Sequence, residues 1–288
     1  MKRLLVLLGL ICLFFTGCAA TEEPAQIAAT TLPVYEFTTR LCDGTGITVT
    51  RLVTESVSCL HDYSLNVRQV KAAEAAETIV ISGAGLEDFM ADILADTKCI
   101  DSSVGLELLT CEHEHEHEHD HDHEEDAHIW LSPENAKLMA RNICNGLCAQ
   151  YPQHTAAFEA NLESLLTELD ALQTYGESQL ADLSCRELIT FHDGFAYFAD
   201  AFGLTILEAV EEESGSEASA SELKHLITLT QEHDLPAIFT EINGSVSAAD
   251  IIFAETGAKV YTLDMAMSGD SYFEAMYRNI DTIKEALG

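Results

Sequence analysis

"PQHTAAFEANLESLLTELDALQTYGESQLADL", residues 152–183, decides how this 288-residue chain is organised. Phe158, Leu162, Leu165, Leu166, Leu169 and Leu172 recur at steps of three and four, the spacing of one helix face. Some thirty residues at 1.5 Å each predict a rod of roughly 45 Å, longer than a small sheet needs for a crossover. Such a rod joins two bodies. On its N-terminal side, strand-like runs ("IAATTL", "GITVTRLV", "TIVISGAG") alternate with helical ones ("VYEFTTRLC", "VRQVKAAEAAE", "LEDFMADIL"). Before the rod, "SPENAKLMARNICNGLCAQ" starts a helix with Ser132 as cap and Pro133 in its first turn. On the C-terminal side "ELITF", "LTILEAV", "PAIFTE" and "AKVYTL" alternate with four more helical stretches, two of them closed by Gly203 and Gly257. Strand–helix alternation predicts parallel sheets covered by helices. The fold class is therefore α/β: two βα lobes, 26–151 and 183–288, joined by one long helix over 152–182.

Ahead of the first lobe, Lys2 and Arg3 precede "LLVLLGLICLFF" and then "TGC". The apolar run is too short to span a bilayer with ease and reads as a secretory signal over 1–17. Gly17 before Cys18 resembles a bacterial lipobox, although Phe15 stands where that motif has Leu, Val or Ile. Cys18 is then the lipidated first mature residue, and residues 18–25 are a polar tether to the membrane. The expected location is extracytoplasmic and lipid-anchored, or periplasmic in an envelope with two membranes. The formal net charge of −35 repels phosphate backbones, which excludes nucleic acid as a partner, and it suits an exported monomer. Nine cysteines less Cys12 and Cys18 leave seven, an odd number. With no CxxC, most read as small buried side chains and a thiolate zinc site is not expected.

Six of the 12 histidines crowd into "EHEHEHEHDHDHEED", residues 112–126: His113, His115, His117, His119, His121 and His123. The run has no apolar residue and cannot build a core. His154, His225 and His233 fall in polar helical stretches and read as surface residues. The other three lie between strands and helices. His61 opens "HDYSLNVRQ", His128 stands in "DAHIWLSPE", and His192 follows "ELITF". Asp264 ends "AKVYTL" and Glu241 ends "PAIFT". The carboxyl ends of parallel strands are where open α/β sheets bind ligands. Three imidazoles and one carboxylate oxygen suit tetrahedral Zn²⁺, whereas Mn²⁺ asks for more oxygen than a His at 192 supplies.

The blocks "LHDYSLNVRQVKAAEAAETIVISGAGLEDF", "DAHIWLSPENA", "TFHDGFAYFADAFGL", "IFTEINGSVSAADIIFAETGAKVYTLD" and "DSYFEAMYRNIDTIKEAL" occur in that order. Together they resemble the zinc-binding solute-receptor lipoproteins of bacterial ABC transporters, over nearly the whole mature chain. The resemblance implies a metal held between two lobes by His61, His128 and His192. The fourth ligand is Asp264, or water as in some zinc members. Glu241 is left open as a ligand, an acceptor for an imidazole N–H, or an unrelated acid. Ala127 and Met265 stand where the family often has Pro.

The resemblance also implies a non-enzymatic receptor that carries Zn²⁺ to a membrane permease. The 112–126 run is then an accessory that gathers or senses zinc, with the tight site indifferent to its deletion. Two other classes use the same residues. One is a manganese-type receptor or adhesin on this scaffold, which His192 disfavours. The other is a zinc-dependent hydrolase with Asp193 or Glu241 as base, for which no HExxH signature exists outside the 112–126 repeat, where the pattern arises from the alternation alone.

Overall fold

The computed structural model describes residues 25–55, 57, 60, 63–110, 125–210, 219–242 and 247–288. Within them, β1 (Ile27–Ala29), β2 (Val49–Arg51), β3 (Thr78–Ile81) and β4 (Lys98–Asp101) form one parallel sheet in the order β2-β1-β3-β4. A second parallel sheet, β6-β5-β7-β8, is built from β5 (Glu187–Thr190), β6 (Thr205–Ala209), β7 (Ala237–Glu241) and β8 (Lys259–Leu263). Both sheets thus share one topology. The reversal of strand order falls between β1 and β3 in the first and between β5 and β7 in the second. Such a reversal opens a crevice beyond the strand carboxyl ends.

The helices of the first lobe are α1 (Leu32–Leu41), α2 (Val67–Ala75), α3 (Ala91–Asp96) and α4 (Pro133–Gln150). After α5 (Thr155–Gln179), the second carries α6 (Ala196–Phe202), α7 (Ala220–Glu232), α8 (Ser247–Thr256) and α9 (Tyr272–Leu287). Their ends follow from local chemistry. Ser132 Oγ accepts the Asn135 N–H at the start of α4, and Pro133 loses nothing there because its missing N–H would have been unpaired. Gly203 closes α6 in the left-handed region at φ 64°, a conformation that costs a residue with a Cβ.

Two expectations are corrected. The linking helix is shorter than 152–182, because Pro152–His154 wind as a tight 3₁₀ turn and the α-helix proper runs for 25 residues, about 37 Å. His154 belongs to that turn. The strand β4 was not expected at all: only Ile100 of "KCID" is buried, so this edge strand shows no alternation to read.

Side-chain alternation along the strands sorts the core into layers. Ile27, Ala29, Val80, Leu188 and Phe239 face a central apolar cluster that continues through Phe37, Trp130, Ile143, Leu165, Phe198 and Tyr272. Ala28 and Ile79 face a smaller cluster outside the first sheet, and Ile189 and Ile238 one outside the second. The central cluster belongs to both lobes.

Polar bonds stitch the same seam. Tyr272 OH donates to the Trp130 carbonyl at 2.9 Å, and Trp130 Nε1 donates to the Met265 carbonyl at 2.7 Å. Arg51 Nη1 reaches the Gly269 carbonyl, and Glu36 in α1 accepts the Tyr272 N–H that opens α9. A carboxylate from one lobe thereby caps a helix of the other, where the helix dipole favours negative charge.

Five described cysteines, Cys42, Cys99, Cys144, Cys148 and Cys185, are unbridged. Burial pushes the thiols of Cys42 and Cys144 up to about 12, which makes them inert packing groups as expected. Cys99 departs from that expectation, being exposed on the edge strand. No helix among the described residues is long and apolar enough to cross a membrane. The signal sequence, Cys18, Cys59 and Cys111 lie outside the described residues.

Candidate metal centre

His128 and His192 are brought together from different lobes. His128 lies after β4, at the threshold of the 3₁₀ turn Ile129–Leu131 whose side chains are all buried. His192 lies two residues beyond β5, at the strand-order reversal of the second sheet, with its carbonyl accepting from Thr190 Oγ1. The two Nε2 atoms stand 3.4 Å apart, with the rings nearly perpendicular at 88°. That separation has a meaning. Two nitrogens each about 2.0–2.1 Å from one ion, at a tetrahedral angle, are separated by about 3.3–3.4 Å.

Asp126 settles which ring atom of His128 can donate to an ion. Its Oδ1 accepts both the His128 main-chain N–H and Nδ1–H, each at 2.8 Å, and both side chains are almost wholly buried. A carboxylate only accepts, so the proton is fixed on Nδ1 and the lone pair of Nε2 points at the gap. Asp126 Oδ2 is buried without a hydrogen-bond partner among the described residues. Sequence reading placed Asp126 in the accessory run. The structure places it on the fixed side of the boundary, and the only hint in the sequence was an acid two residues before a histidine.

Gly194 is the third component. A Cβ built on it would stand 2.5 Å from Met265 Cε, 2.9 Å from His192 Cδ2 and 3.0 Å from His128 Nδ1. Backbone without a side chain is what allows the two rings and Met265 to converge here.

The remaining expected residues divide into three groups. His61 lies outside the described residues. Its flanks are held: Glu55 Oε2 accepts from Tyr63 OH and Gln69 Nε2, and Asn66 and Gln69 cap α2 reciprocally. Asp264 follows β8 with its Oδ1 on the Ala266 N–H and its Oδ2 3.1 Å from Arg278 Nη1. Glu241 is buried as the last residue of β7, beside the strand that leads to His192. Among the described residues no three His, Cys, Asp or Glu side chains are grouped to hold an ion.

The six histidines from His113 to His123 also lie outside the described residues, but the stem of their segment is well defined. Thr110 and Glu125 form an antiparallel bridge, and the Asp126 N–H donates to the Leu109 carbonyl at 2.8 Å. Tyr197 OH from α6 takes the Leu109 N–H and donates to the Asp126 carbonyl, both at 2.9 Å. Both feet of the segment are thus fastened to the second lobe, one of them through the main chain of Asp126, whose carboxylate holds the His128 ring. His225 and His233 are partly exposed beside Glu208 and Glu187, consistent with surface roles.

The sequence pattern of ZnuA, the periplasmic component A of a zinc-uptake complex, matches residues 27–286. The chain belongs to the ZnuA family. A protein described as metal-binding from Treponema pallidum (strain Nichols) is 28% identical over 295 residues, covering 98% of this chain and 93% of its own. The zinc-binding lipoprotein AdcA of Streptococcus pneumoniae serotype 4 is 28% identical over 307 residues. That alignment takes in 99% of this chain and 61% of AdcA, so the chain spans about three fifths of that relative's length. A crystal structure of ZnuA superposes with a TM-score of 0.79 at 30% identity, covering 92% of this chain and 100% of that one. ZnuA-family membership makes the chain a metal-binding solute receptor of an uptake complex, and not an enzyme.

Proposed function

We propose that this receptor captures Zn²⁺ outside the cytoplasm and hands it to the membrane permease of an ABC transporter. The observation that carries the reading is the 3.4 Å between His128 Nε2 and His192 Nε2, the edge of a tetrahedron around a zinc-sized ion. The donor set is His128 and His192 with His61 as third imidazole. The fourth place falls to Asp264, or to water while that carboxylate is engaged elsewhere. Glu241, buried at the end of β7, is an alternative ligand or an acceptor for an imidazole N–H.

Imidazole-rich coordination favours zinc over manganese, which prefers carboxylate and water oxygens. Cys18 carries the lipid that keeps the receptor at the membrane. His113, His115, His117, His119, His121 and His123 gather zinc weakly, because histidines alternating with acids, with no apolar residue among them, offer interchangeable ligands and no preorganised set. Their proper boundary is 112–124, since Asp126 serves His128.

Isothermal titration of metal-stripped protein tests the reading. His192→Ala is expected to weaken zinc by two orders of magnitude or more, on the order of the loss of one of four ligands. Deletion of 112–124 is expected to leave the tight site within about threefold, because it removes no fixed ligand. Unaltered zinc affinity in His192→Ala overturns the ligand set.

A further inference from the structure

Asp264 is held at four points. Its N–H donates to Asn279 Oδ1 at 2.8 Å and its carbonyl accepts from Asn279 Nδ2 at 2.7 Å, while Asn279 itself is buried. Its Oδ1 accepts the Ala266 N–H at 2.9 Å, and its Oδ2 pairs with Arg278 Nη1 at 3.1 Å. The backbone is thereby fixed beside the imidazoles: Met265, the next residue, is a neighbour of Gly194 and through it of both rings. Yet the carboxylate does not join the two imidazoles in a metal-sized group. It is turned to Arg278.

Building on the zinc reading, we propose that Arg278 is a specificity-determining residue of the receptor. By pairing with Asp264 it withholds a carboxylate oxygen from the imidazole site, and so selects against hard divalent cations such as Mn²⁺. Zinc, borderline-soft, is satisfied by three imidazole nitrogens and a water. Manganese needs charged oxygen in its shell and loses more when the carboxylate is engaged. A guanidinium stays charged at every relevant pH, so the engagement does not lapse. Arg278 is more than half exposed, with a side chain 57% accessible against 14% for Asp264. A pair so open to water is weak enough to yield to a strongly binding ion and strong enough to bias a weakly binding one.

The test uses the full chain, metal-stripped, with Zn²⁺ and Mn²⁺ affinities measured by competition against chelating dyes. Arg278→Gln is expected to tighten Mn²⁺ about three- to fivefold, the most that releasing an exposed ion pair supplies, and to leave Zn²⁺ within about 1.5-fold. Arg278→Lys, which keeps the charge, is expected to stay near the parent. In the double variant Arg278→Gln with Asp264→Asn, the manganese gain should vanish.

A merely structural ion pair would lower the melting temperature without moving the ratio of the two affinities. An unchanged ratio in folded Arg278→Gln overturns the proposal, as does a gain that persists with Asp264→Asn. If His192→Ala retained parental zinc affinity, the zinc reading would fail and take this proposal with it. A normal loss in His192→Ala with an unchanged ratio defeats this proposal alone.

Discussion

Replacing Asp126 by Ala should weaken zinc binding without unfolding the protein. In the parent, one oxygen accepts two bonds from His128 at 2.8 Å, and the two side chains are only 2% and 4% accessible. Water does not reach such a site freely, so the variant leaves the Nδ1–H and the main-chain N–H short of partners. Each unsatisfied buried donor costs about 1–3 kcal/mol. The ring also loses its fixed tautomer and regains rotation about its side-chain bonds.

Only the part of that cost that differs between empty and loaded states enters the affinity. For carboxylates that orient a metal-bound histidine it amounts to about 10–100-fold, or roughly 1.4–2.7 kcal/mol. Competition with a chelator of known affinity reads the change, and urea unfolding of the metal-free variant reports the stability cost separately. Asp126→Asn keeps one acceptor oxygen but buries an amide N–H₂ where Oδ2 has no partner among the described residues, so it should fall between parent and Ala. A zinc affinity for Asp126→Ala within twofold of the parent would refute the assignment of Asp126 to the site.

Gly194→Ala should loosen zinc about tenfold or more, because its methyl group meets the His128 ring and the ring cannot yield while Asp126 holds it; the same titration checks this. Gly176→Ala in α5 should destabilise the fold by about 1–3 kcal/mol through collision with the Phe202 ring, seen as a lower urea midpoint with zinc affinity retained. Glu87 gives a pH signature. Burial pushes its carboxyl up to about 7, even though Thr30 Oγ1 and the N–H groups of Ser82 and Gly83 all donate to it. A folded value above the ordinary 4.5 means that its stabilisation is complete below pH 4.5 and is lost as pH rises through 7. The loss is about 3 kcal/mol, and Glu87→Gln should flatten that part of the stability profile; an unchanged slope in urea titrations across the window would count against it.

Much of this architecture could be read from the chain because the central strands β1, β3, β5 and β7 are buried runs and its helices keep a three-to-four step. Leu165, Leu169 and Leu172 announced α5 by spacing alone, and His192 announced itself by following a strand. The omissions have physical causes. "KCID" is an edge strand with one buried residue, so no pattern betrayed β4. Asp126 closes a run of acids and histidines, and composition disguised an acid with a fixed task. Arg278 is 14 residues from Asp264 in sequence, and its relevance arises only because α9 packs back along β8. The start of α5 was misjudged because Pro152 opens a tight turn ahead of the helix.

The seam through Trp130, Met265 and Tyr272 bears on how cargo leaves. Two clamshell halves that share an interior cannot swing apart without tearing it, so capture spends little of its affinity on closing a jaw. The same economy makes unloading a job for an outside hand. The Tyr197 bonds to Leu109 and Asp126, and the bond from Asp126 to the His128 ring, moor one imidazole to that common interior.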